Sequence, residues 1–92
     1  MSEDSLFDWD RANIGHLRRH KVSKAEFEEA LLNVAIELEY EDEDGEPRFK
    51  SLGRTNDGRM LVLVWTIRSE RVRAITAYNA GASLRKLWPR VN

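Results

Sequence analysis

Seven cations crowd around the most apolar run of this chain. Arg48, Lys50, Arg54, Arg59, Arg68, Arg71 and Arg73 flank the stretch from Met60 to Trp65. Arginine presents a planar fork of donors that matches phosphate oxygens, and its charge is permanent. In a strand, residues two apart face the same side, so Arg48 and Lys50 share a face, as do Arg71 and Arg73. Arg54 and Arg59 flank the turn between two strands. Tyr78, further along, adds a stacking surface and a weak acid. Cations with one aromatic on a sheet face suit an RNA-phosphate groove. The same pattern also describes exposed strand positions filled with solubilising charge.

Other chemistries find less support. His16 and His20 stand at i and i+4 and share a helix face. That spacing can bind a metal, but no pattern supplies a third ligand and HExxH is absent. No metal site and no cofactor is expected. His20 keeps a second role as general acid or base, because imidazole titrates near neutrality. The carboxylates cluster in one acidic stretch and on helix faces, without a glycosidase-type pair. GxSxG, P-loop and GxGxxG motifs are all missing.

The elements that position these residues follow from hydrophobic period and punctuation. "LFDWD" alternates apolar and acidic residues and reads as a short first strand. Asp10 is a candidate N-cap for a helix over "RANIGHLRRHK", with Ile14 and Leu17 on its buried face. Ser23 and Glu26 form a capping box for "KAEFEEALL", and Val22 and Phe27 form a hydrophobic staple. Asn33 is placed to close that helix in a left-handed conformation. "VAIELEY" alternates as a half-buried strand. Asp44-Gly45 marks a hairpin, "RFKSLGRT" returns, and Asn56–Gly58 turns again. "RMLVLVWTI" is apolar on both faces, so both faces should be covered. "VRAITAY" is the last strand, and "GASLRKLWPRV" holds a short final helix that stops at Pro89. The expected architecture is α+β: an antiparallel sheet of four to five strands, packed by two N-terminal helices and a short C-terminal helix.

Composition limits the rest. Ninety-two residues make a single domain spanning 1–92, with one modest core. The chain has no cysteine, so neither disulfides nor thiolate metal sites arise. "MSEDS" lacks the features of a secretory signal, and "MLVLVW" is far short of a membrane helix. A cytoplasmic protein is the default expectation. Residues 1–46 hold 14 acids and 5 bases, a net of −9; residues 47–92 hold 2 acids and 10 bases, a net of +8. Such a split marks either an anion-binding half or two halves that pair, within the fold or between chains.

Several of these stretches are also familiar together. "FDWD", the Asn13, Leu17, His20, Val22 run, "FEEA", Arg48 with Leu52–Thr55 and Asp57–Arg59, and Arg73 with Ile75–Ala77 occur in one order. Over residues 6 to about 88 the chain resembles the BrnT family, ribonuclease toxins of type II toxin–antitoxin systems with a RelE-like fold. The resemblance implies an endoribonuclease that needs no metal, acts in stress response and is held inactive by a cognate, BrnA-like antitoxin. RNA and that antitoxin would be its partners, with no membrane; a homodimer and a toxin–antitoxin heterotetramer are the assemblies to test. By the same resemblance the RNA's own 2′-hydroxyl attacks the adjacent phosphate. Arg54 and Arg73 would then hold the phosphate and Lys50 would assist proton transfer or charge stabilisation. His20 would act as acid or base, and Tyr78 would stack on a base or donate a proton. Arg48, Arg59 and Arg71 would bind RNA or position the strand. The chain departs from the family pattern after Ala77, where "YNAGASLRKLWPRVN" replaces further basic residues, and at His20-Lys21, where the pattern reads "KHG". A catalytically silent module of the same fold, docking an antitoxin-like protein or RNA, is the alternative.

Overall fold

A computed structural model describes residues 6–88. Helices α1 (Arg11–Arg19) and α2 (Lys24–Leu32) come first. Strands β1 (Ile36–Glu43), β2 (Glu46–Arg54), β3 (Met60–Arg68) and β4 (Arg71–Asn79) follow, and helix α3 (Ala82–Arg85) comes last. The strands form one antiparallel meander in the order β1-β2-β3-β4. The α+β expectation holds with four strands. The expected end of the last helix at Pro89 lies outside the described residues.

"LFDWD" does not become a fifth strand. It makes one parallel bridge, Phe7 to Val72, in which the Asp8 N–H donates to the Val72 carbonyl and the Val72 N–H donates to Leu6, both at 2.8 Å. The chain must turn at Asp10 to cap α1, which leaves too few residues for a ladder. Asp10 accepts from the Asn13 N–H at 2.9 Å, and the Asn13 side chain accepts from the Asp10 N–H at 2.9 Å. Ser23 and Glu26 cap α2 in the same reciprocal way, as their spacing predicts.

α1 ends in a Schellman motif. The Val22 N–H donates to the Leu17 carbonyl and the Lys21 N–H to Arg18. Lys21 occupies the left-handed position at φ +58, where glycine is the usual residue. α2 differs from expectation. Asn33 keeps φ −85, and Val34 takes the left-handed turn at φ +55. The Asn33 side chain is committed elsewhere, donating to the Arg54 carbonyl and to Asn56 Oδ1, both at 2.9 Å.

β3 is buried on both faces, as its unbroken apolar run predicts. On one face Leu61 and Leu63 pack with Leu17, Val22, Phe27 and Ala30 from the helices. On the other, Val62 packs with Leu52 and Ala80, beneath Leu84 and Trp88. Helix α2 approaches β2 so closely that a Cβ on Gly53 would lie 2.3 Å from the Ala30 carbonyl oxygen. Only the missing side chain permits that contact.

Candidate functional site

The fold gathers part of the expected set at one end of the sheet. There the β2–β3 turn, the end of β4 and the C-terminus of α1 meet. Thr55 organises the turn: its N–H donates to the Arg59 carbonyl, and its hydroxyl accepts from the Arg59 N–H. Gly58 adopts φ +90, and a Cβ there would sit 3.3 Å from Arg54 Nη2, so the Arg54 guanidinium lies over the turn. Arg54 is exposed, and among the described residues its guanidinium makes no ion pair. Beside it, Gly58, Arg59, Met60, Asn79, Ala80 and Arg85 line a cleft of about 470 Å³.

Arg59 is a clamp. It donates to Asn79 Oδ1 at 2.9 Å, to the Lys21 carbonyl at 2.7 Å, to Glu26 at 2.9 Å and to the His20 carbonyl at 3.4 Å. Those bonds tie the end of α1 to the end of β4. They also fix the backbone of His20, whose ring lies 6.3 Å from that of Tyr78, centroid to centroid. Glu26 is held below the usual carboxylate range, first by the Ser23 backbone N–H and then by Arg59, against the opposing effect of burial. It therefore remains an anion at neutral pH and keeps Arg59 in place.

The other expected residues sit apart. Lys50 and Arg48 line a shallow site of about 220 Å³ with Glu39, Glu41 and Val64, and Lys50 pairs with Glu39 at 3.5 Å. Lys50 is four residues before Arg54 in β2, roughly 13 Å at strand rise. Arg73 is five residues before Tyr78 in β4, roughly 15 Å away. Its guanidinium reaches Asp10 at 2.5 Å and Asp8 at 3.4 Å. Asp10 is held below the usual carboxylate range, first by the Asn13 backbone N–H and next by Arg73, whose own pKa is raised chiefly by Asp10. Arg71 donates to the Phe7 carbonyl at 2.9 Å. His16 is exposed, and no group of three metal-ligating side chains occurs among the described residues.

Some site residues escape a reading of the sequence. Glu26 is visible only as a helix cap, and that local role conceals its bond to Arg59. Asp8 and Asp10 are two apart in an extended segment, a spacing that puts both on one side and could have signalled a cation clamp. Asn79 and Arg85 carry no local signal; the fold alone brings them to the cleft.

This arrangement offers a fixed cation, Arg59, a second cation without an ion pair among the described residues, Arg54, and the His20 and Tyr78 rings, at the end of the sheet that carries an open cleft. Residues 9–83 match the family model described as the ribonuclease toxin, BrnT, of a type II toxin–antitoxin system. The chain belongs to the BrnT family. No individually curated protein matches it. For a BrnT toxin the substrate is RNA and the partner is an antitoxin. The matched span contains His20, Arg54, Arg59 and Tyr78 but ends before Arg85. No helix among the described residues is long and apolar enough to cross a membrane.

Proposed function

We propose that this BrnT chain cleaves RNA without a metal, on a RelE-like scaffold, at the end of the sheet that carries Arg54, Tyr78 and the neighbouring His20. The RNA 2′-hydroxyl gives its proton to the His20 imidazole, which afterwards releases it to solvent, and the 2′-oxygen attacks the adjacent phosphorus. The bond from phosphorus to the 5′-oxygen breaks, and the Tyr78 hydroxyl protonates the leaving oxygen before recovering a proton from solvent. The products are a 2′,3′-cyclic phosphate and a 5′-hydroxyl end. Arg54 stabilises the charge that builds on the phosphate, where a preplaced cation is worth most. Arg59 positions His20. Lys50 and Arg48, further along the same face, hold a neighbouring phosphate. Arg73 supports the scaffold through Asp8 and Asp10.

The observation that carries this reading is the Arg54 guanidinium, without an ion pair among the described residues, at the same sheet end as the adjacent His20 and Tyr78 rings. Induced expression in a bacterial host tests it. Wild-type chain should arrest growth and degrade RNA, whereas a soluble Arg54→Ala/Tyr78→Phe variant should do neither. A harmless wild type would favour the second reading, a silent docking module. One observation speaks for that reading: Lys50, Arg59 and Arg73 already have carboxylate partners within the chain. Assembly as a homodimer or as a heterotetramer with antitoxin is compatible with either function.

A further inference from the structure

We infer that the groove between α1 and α2 docks an acidic segment of a partner protein, seating one apolar side chain between carboxylates. The groove encloses about 460 Å³ on the helices, and its Lys21 and Glu26 touch the cleft side through their bonds to Arg59. Ile14, Val22 and Ala25 supply its apolar lining, and Arg18, Lys21 and Lys24 its charge. A volume of this size admits a leucine or phenylalanine side chain with its neighbours.

Among the described residues the charge of the groove is uncompensated. Arg18, Lys21 and Lys24 are exposed, and among the described residues none of them pairs with a carboxylate. The one acid in the lining, Glu26, is already committed to Arg59 and to the Ser23 N–H. An incoming carboxylate therefore meets three cations and no free anion. Complementarity of this kind steers encounter and fixes orientation.

The apolar lining distinguishes a peptide from RNA. A nucleic-acid groove pairs cations with aromatic platforms for the bases. This groove has no aromatic lining residue among those described, and aliphatic side chains stand where bases would need a stacking surface. An acidic strand or helix with one large apolar residue fits both features.

The inference stands apart from RNA cleavage and is tested by binding alone. The full chain, labelled with nitrogen-15, is titrated with the synthetic peptide Glu-Glu-Leu-Leu-Glu-Glu while amide resonances are followed. The amides of Ile14, Arg18, Val22 and Ala25 should shift saturably. Peptides with serine for leucine, or lysine for glutamate, should leave them in place. Arg18→Glu/Lys24→Glu, both at exposed positions, should weaken binding by about tenfold or more with the rest of the spectrum unchanged. The inference is overturned by absence of shifts up to millimolar peptide, or by shifts that survive the charge reversal. Displacement of the peptide by oligouridylate would reassign the groove to RNA. Shifts of the same amides on concentrating the chain alone would reassign it to a second copy.

Discussion

At the residue scale, the arginines around β3 are not one population. Arg59 and Arg73 each hold two elements together, while Arg54 lies over Gly58 with no ion pair among the described residues. Substitution should separate them. Arg54→Ala removes no internal partner, so thermal stability should change by less than about 0.5 kcal/mol while RNA affinity and cleavage fall. Arg73→Ala leaves Asp8 and Asp10 facing each other without a cation. It should lower the melting temperature by several degrees and affect cleavage only through that loss. Thermal denaturation beside an RNA-binding titration checks both. The cationic cluster was legible in the sequence because residue type and strand alternation place its members. Which cation is consumed internally was not, because Asp10 lies far from Arg73 in the chain and meets it only after α1 folds onto β4. Glu26 teaches the same lesson: a helix cap by local spacing, it also anchors Arg59 across the molecule.

At the scale of elements, the sequence places both N-terminal helices, their N-caps and the four-strand meander correctly, because each rests on local rules. The failures are also local competitions. The run at Phe7 lost its ladder to the N-cap at Asp10. Asn33 gave up the left-handed position because its side chain was needed by Arg54 and Asn56. Two substitutions test the element contacts. Lys21→Gly relieves a left-handed lysine at the end of α1 and should stabilise the fold by about 1 kcal/mol in denaturant unfolding. Gly53→Ala forces a methyl group into the Ala30 carbonyl and should destabilise by about 2–3 kcal/mol or more, because backbone cannot yield as a side-chain tip can. A neutral Gly53→Ala would mean that α2 does not seat on β2 as described.

At the scale of the molecule, the acidic first half and basic second half meet across the fold in Asp8, Asp10 and Glu26 with Arg73 and Arg59. Part of the charge split is therefore internal pairing, and the pairing has a pH signature. Asp10 and Glu26 have folded values lowered from the ordinary 3.8 and 4.5, so the stability they contribute is complete above those ordinary values and is lost as pH falls below them through the lowered folded ones. Melting temperature across that range should drop less steeply in Asp10→Asn/Glu26→Gln than in wild type. Arg54, at the turn end of the sheet, has no ion pair among the described residues and is the cation proposed to meet RNA. The most direct test of that assignment is incubation of purified chain with a short RNA in excess EDTA, followed by analysis of the product ends. Cleavage to a 2′,3′-cyclic phosphate and a 5′-hydroxyl is expected, lost in folded Arg54→Ala and Tyr78→Phe. RNA left intact by folded wild-type chain, or cleavage that survives both substitutions, would contradict it.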